Sequence, residues 1–260
     1  MTRLTTATVA RTLMTLLVGV AGLSALAACD RSQPDVDTGK WSAITDRNWP
    51  SGDMPDDARL DANPQRTNVV VVLDMSGSMG NEACSGQYHS KAQAARAALA
   101  TWTDSVPHDA NLGLIAFTSG RIETLVPLGT DNRDAFIAAA DKVHPGGGTP
   151  LRSAMQAAHE LLADRARYQL GYGRYQIVMI TDGEHSDGEN PLPEVERILR
   201  NPANPVEIHT IGFCIDDSAL RQPGLVHYQS ANDPDQLAQG LSSVLAESSS
   251  FEPVENFDEQ

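Results

Sequence analysis

Three short loops in this sequence offer oxygen donors and little else. Asp74-Met75-Ser76-Gly77-Ser78 places one carboxylate and two hydroxyls in a single tight loop, and Gly77 and Gly80 let that loop turn closely. Gly146-Gly147-Gly148-Thr149-Pro150 presents Thr149 at the start of a helix. Thr181-Asp182-Gly183 presents Asp182 at the end of a strand. Such hard oxygens suit Mg²⁺ or Mn²⁺ and match Zn²⁺ poorly. Asp74, Ser76, Ser78, Thr149 and Asp182 bring only two carboxylates between them. An ion held there keeps octahedral positions for water and for one outside ligand. Each loop alone also has a plainer reading. Asp and Ser at this spacing bond their own backbone in many turns, and a Gly-rich run ending in Thr-Pro is an ordinary turn and helix cap.

Buried strands must hold these loops in place. Residues 69–73 (VVVVL) form a continuous apolar run, as expected for a central strand covered on both faces. Lys91–Thr103 has Ala92, Ala95, Leu99 and Trp102 at helical spacing. Asn111–Thr118 is a strand, and 122–128 its hairpin partner across Ser119-Gly120. Helices follow around Phe136 to Val143 and from Leu151 to Leu162, then a buried strand over 175–181. Residues 191–200 read as a short helix, Val206–Phe213 as a strand, 225–228 as a short strand, and Leu237 to Leu245 as a last helix. Strands alternating with helices at this spacing predict an α/β fold with a doubly wound, mostly parallel sheet. Ligands of such sheets gather at the carboxyl ends of the strands, where Asp74 and Asp182 fall.

The motif Asp74-x-Ser76-x-Ser78, the distant Thr149 and the Asp182-Gly183 turn resemble the metal-ion-dependent adhesion site of a von Willebrand factor A domain. All five positions occur in order, and the resemblance covers about 67–246. It implies a Rossmann-like sheet of order 3-2-1-4-5-6 with one antiparallel edge strand. It implies that Ser76, Ser78 and Thr149 bind the metal, with Asp74 and Asp182 acting directly or through water. It also implies that the open position takes an Asp or Glu carboxylate from a partner. Mg²⁺ is the expected ion, with Mn²⁺ or Ca²⁺ as alternatives.

The sequence departs from the simplest family pattern after Ser78. Residues 80–90 delay the first helix and hold Cys84, while Cys214 ends a strand. With the implied strand order, those strand ends lie about 10 Å apart, a gap that loops could close into a disulfide. Two separate thiols are the alternative. A catalytic Cys214 finds no support, because His209 lies five residues back and faces the other side of the same strand. Residues 182–190 carry Glu184, His185, Asp187 and Glu189. They could form a second metal site, but read better as a solvated rim with Glu184, His185 and Asp187 facing the partner. Arg152, Arg165, Arg167 and Arg174 read as solvated.

The N-terminus is of another kind. Residues 1–28 carry Arg3 and Arg11, then an apolar run without an acidic residue, the pattern of an export signal. Leu26-Ala27-Ala28-Cys29 resembles a bacterial lipobox, which implies lipidation of Cys29 and a membrane anchor on the periplasmic or extracytoplasmic face. An uncleaved anchor is the alternative, although the run falls short of the about 20 residues a span needs. Residues 29–66 are rich in Asp, Pro, Ser and Gly and read as a largely disordered tether, with Trp41, Ile44 and Trp49 as possible docking points. The domain is expected over 67–247 and a frayed acidic tail over 248–260.

The formal net charge of the 260-residue chain is −15, which argues against nucleic acid as a partner. The expected function is a lipid-anchored, metal-dependent protein-binding module for an envelope or surface protein with an exposed Asp or Glu. The alternative is a metal-dependent hydrolase of the cell envelope. The sequence has no Gly-x-Ser-x-Gly, Ser-x-x-Lys, His-Glu-x-x-His or Walker motif, and no nucleophile–base pair stands out in it.

Overall fold

The computed structural model describes residues 49–50, 59–201, 203, 205–215 and 219–248. The expected export signal 1–28, the expected lipidation site Cys29, Trp41, Ile44 and the expected tail 248–260 beyond Ser248 lie outside the described residues. Among the described residues six strands form one sheet: β1 (Thr67–Asp74), β2 (Asn111–Thr118), β3 (Arg121–Gly129), β4 (Arg174–Thr181), β5 (Val206–Phe213) and β6 (His227–Ala231). Their order is β3-β2-β1-β4-β5-β6. Only the β2–β3 hairpin at one edge is antiparallel. Among the described residues five helices flank the sheet: α1 (Lys91–Thr103), α2 (Arg133–Lys142), α3 (Leu151–Tyr168), α4 (Leu192–Leu199) and α5 (Pro234–Ser248). The doubly wound expectation and its strand order hold. Strand β6 begins later than its apolar residues suggested, because Leu225 and Val226 both donate backbone hydrogen bonds to Gln222 in a turn before the strand.

The apolar run of β1 is explained by two cores, one on each face of the sheet. Val69, Val71 and Leu73 pack with Leu99 and Trp102 of α1 and Leu237 and Leu241 of α5. Val70 and Val72 pack with Leu151, Met155 and Leu162 of α3 and Ile198 of α4. Successive side chains of a strand point to opposite faces, so only a continuous apolar run serves both cores. Burying each such side chain stabilises the fold by about 1.5–3 kcal/mol. The register sets the strand ends level: Leu73 lies beside Ala116 of β2 and Ile180 of β4. The residues after these pairs therefore emerge together at one edge of the sheet.

Part of the expected tether packs on the domain. Trp49 stands edge-on to Tyr175, with ring centroids 5.2 Å apart, and lies 5.4 Å from the His159 ring. Asp61 takes an ion pair from Arg165 at 2.5 Å, and its backbone N–H donates to the Tyr168 carbonyl. Arg165 is therefore a partner of the incoming chain and not a solvated residue. Trp49 is one of the docking points that the sequence offered, whereas Asp61 had no such signal, because a single residue carries no period.

Candidate metal centre

The loop after β1 is built by alternation. Met75 and Met79 are fully buried in the core beneath it. That turns Ser76 and Ser78 toward the opposite side. Residues Gly77–Gly80 form a short 3-10 turn. Two backbone bonds stitch this loop to the Gly-rich loop: Gly77 N–H to the Gly147 carbonyl at 3.0 Å, and Gly146 N–H to the Met75 carbonyl at 2.8 Å. Ser119 N–H donates to the Gly146 carbonyl, which ties in the β2–β3 turn. Gly147 has φ +77°, and an added Cβ would stand 2.8 Å from Gly120 N and Ser119 Cα. Only glycine fits there.

These bonds bring the three oxygen-bearing loops together. Asp74 is fully buried. Its Oδ1 accepts the Ser76 N–H at 2.7 Å, and its Oδ2 accepts the Thr181 hydroxyl at 2.6 Å. Ser76 Oγ and Ser78 Oγ lie 3.1 Å apart, and Ser78 Oγ donates to Asp182 Oδ1 at 2.8 Å. The second Asp182 oxygen, Oδ2, is buried without a well-aligned hydrogen-bond donor, and the Lys91 ammonium lies against it. Thr149 is reached through Gly183: a Cβ built on that glycine would stand 3.7 Å from Thr149 Oγ1 and 3.8 Å from Ser78 Oγ. The missing side chain leaves the two hydroxyls facing a common space. Thr149 N–H donates to Ser186 Oγ at 2.8 Å, and Ser186 N–H donates to the Thr149 carbonyl at 3.0 Å.

The donor set fits a hard divalent cation. Two carboxylates and three hydroxyls converge with few protons to share among their lone pairs. Burial pushes the Asp74 carboxyl up from its ordinary 3.8 to about 6, against the lowering effect of hydrogen bonds from Ser76 and Thr181; the charge of Asp182 raises it further. A bound cation would relieve that cost by favouring the ionised form. Among the described residues no group of three His, Cys, Asp or Glu side chains could hold a metal. The cage depends on hydroxyls, and residues 184–189 do not assemble a second site. Glu189 is instead engaged by Ser153, whose N–H and hydroxyl both donate to it at 2.9 Å. Glu184 and Asp187 are exposed and His185 is half-buried on the rim.

Thr181, Ser186 and Lys91 are the site residues that the sequence reading missed. Thr181 directly precedes Asp182, so adjacency was the available signal. Cys84 and Cys214 are joined as a disulfide with Cα atoms 5.8 Å apart. The bond fastens the loop of 80–90 to the end of β5, and Lys91 N–H donates to the Asn81 carbonyl where that loop meets α1.

Residues 69–185 match the family model of the von Willebrand factor type A domain, a span that contains all five oxygen donors. The chain is 27% identical over 195 residues to the uncharacterized protein YwmD of Bacillus subtilis (strain 168), covering 66% of this chain and 82% of that protein. Among solved structures it is similar to a von Willebrand factor type A protein from Catenulispora acidiphila, with TM-score 0.54 and 20% identity, over 71% of this chain and 43% of that one. It is also similar to the pilus adhesin SpaC of Lactobacillus rhamnosus GG, with TM-score 0.53 and 16% identity, over 73% and 31%. A fourth likeness is to proximal thread matrix protein 1 of the mussel byssus with a zinc-occupied MIDAS motif, with TM-score 0.55 and 15% identity, over 72% and 47%. The chain thus spans less than half of each of these three structures. The family model thus supports a von Willebrand factor type A domain over residues 69–185, and the solved structures share its fold.

Proposed function

We propose that this chain is a lipid-anchored, non-enzymatic binding module that captures a partner protein through a divalent metal. The observation that carries the reading is the convergence of Asp74, Ser76, Ser78, Thr149 and Asp182 at one edge of the sheet. Ser76, Ser78 and Thr149 would hold the ion through their hydroxyls, with Asp74 and Asp182 bracing it directly or through water. When bound, the metal supplies an open Lewis-acidic position for an anionic oxygen. The chain's own residues fix the geometry and keep the cage low in negative charge, which favours an Asp or Glu from a partner.

The neighbours support this class of function: one is a pilus adhesin and another a thread matrix protein. Mg²⁺ is proposed from donor chemistry. Zn²⁺, named in the MIDAS motif of the byssus protein, belongs beside Mn²⁺ and Ca²⁺ in any titration. Glu184, His185 and Asp187 form the rim that a partner meets first. Cys29 would carry the lipid, and the partner is an envelope or surface protein within reach of that membrane.

The test is capture from envelope extract with Mg²⁺ and with EDTA. A protein retained only with Mg²⁺, and lost on Ser76→Ala/Ser78→Ala in a variant of unchanged melting temperature, is the expected result. Equal retention by the double variant would overturn the metal-dependent reading.

A further inference from the structure

Lys91 stands where local physics disfavours it. It is the first residue of α1, and that helix has no acidic residue in its first turn. A cation at a helix N-terminus opposes the macrodipole and the unpaired N–H groups there. The side chain is nonetheless 94% buried, with its ammonium on Asp182 Oδ2, while the Asp182 side chain is wholly buried. The other Asp182 oxygen takes the Ser78 hydroxyl. A buried, uncompensated cation is costly, so the position is tolerable only because Asp182 lies above it. The chain supplies the reach: Ser90 caps the helix by accepting the Gln93 N–H, and the 80–90 loop, closed by Cys84–Cys214, sets where α1 begins.

We propose that Lys91 is a positioning and charge-setting residue of the metal centre. Resting on the metal reading above, it assigns two roles to one ammonium. It holds the Asp182 carboxylate so that Oδ1 faces the Ser78 hydroxyl. It also cancels one of the two negative charges of the cage. The centre then binds a divalent cation weakly by itself and gains most from the carboxylate of a partner. Without the ammonium, the same five oxygens form a tighter trap for the bare ion.

The experiment is Mn²⁺ titration of the purified protein by calorimetry, for the parent, Lys91→Gln and Lys91→Arg. Lys91→Gln keeps a hydrogen-bond donor for Asp182 and removes the charge. The expected result is Mn²⁺ binding roughly tenfold tighter or more in Lys91→Gln, with Lys91→Arg close to the parent. Unchanged or weaker binding in Lys91→Gln, with the parent binding normally, overturns this inference and leaves the metal centre standing. No binding by any of the three overturns both. Thermal melts cover a variant that fails to fold in EDTA. Refolding on Mn²⁺ addition supports the charge-setting role, whereas a variant that stays unfolded makes Lys91 a structural counterion only and overturns it.

Discussion

The two ends of β1 are equally buried and chemically opposite. Asn68 at one end and Asp74 at the other are both fully buried polar residues. At the Asn68 end, neutral amides pass hydrogen bonds along a chain. Asn111 donates to Asn68 at 2.8 Å, and Asn68 donates to Gln169 Oε1 and to the Arg174 carbonyl, each at 2.8 Å. At the Asp74 end, hydroxyls and carboxylates face one another. In the first case every group is neutral, including the buried Asn111 Oδ1 that has no hydrogen-bond partner, whereas in the second two of the groups are carboxylates. Burial of a polar residue therefore does not mark a functional site by itself. Converging carboxylates and hydroxyls mark it, because two buried anionic groups call for more positive charge than the single Lys91 ammonium brings.

The comparison can be broken by mutating each end and reading the other. The largest effect is expected at the amide end. A Cβ on Gly173 would stand 2.5 Å from Gln169 Oε1, 2.8 Å from Asn68 Nδ2 and 2.9 Å from the Arg66 carbonyl. Gly173→Ala should lower stability by about 3 kcal/mol, through overpacking and broken buried hydrogen bonds. Denaturant unfolding measures the loss, and Mn²⁺ affinity of the folded fraction should not move. A changed metal affinity would mean that the two ends are coupled through β1.

The second effect concerns the charge at the Asp74 end. Its folded-state pKa, about 6, lies above the ordinary 3.8. Such a group contributes stability that is full below pH 3.8 and is lost as pH rises through about 6. His159 has the opposite sign: burial, then the charge of Arg197, lowers it from 6.5 to about 4. Its contribution is present above 6.5 and lost as pH falls through 4. Comparison with Asp74→Asn separates the two. In EDTA, the parent should gain up to about 3 kcal/mol on the variant between pH 7 and pH 4. Saturating Mg²⁺ should shrink that gain, since a cation opposes protonation of the carboxylate. A parent and variant with parallel pH profiles would remove Asp74 from the centre's electrostatics.

The smallest effect sharpens the amide end. Trp49 reaches Tyr175 and His159 from outside the sheet, and the Tyr175 hydroxyl accepts the Gly173 N–H at 3.2 Å. Trp49→Ala should lower stability by about 1–2 kcal/mol, read as a lower melting temperature with metal binding intact. No loss would make the Trp49 contact incidental.

The sequence by itself determined the sheet and its loops. A continuous apolar run must be covered on both faces, and strand–helix alternation leaves few topologies for a parallel sheet. Asp74, Ser76, Ser78, Thr149 and Asp182 could be named as oxygen donors from their types and their places near element ends, and their grouping into one set rested on the family resemblance. Tertiary structure alone decided what those oxygens touch. Thr181 reaches Asp74 because β1 and β4 pair in one register, and Lys91 reaches Asp182 across 91 positions of chain. Ser186 braces Thr149, Glu189 takes Ser153, and Trp49 and Asp61 dock on the domain through two contacts each. Apart from Thr181, which adjoins Asp182, and Trp49, an apolar residue in a polar segment, these contacts carry no local signal. Periodicity reports which face of an element is buried, whereas a hydrogen bond or ion pair depends on where two distant elements bring individual atoms.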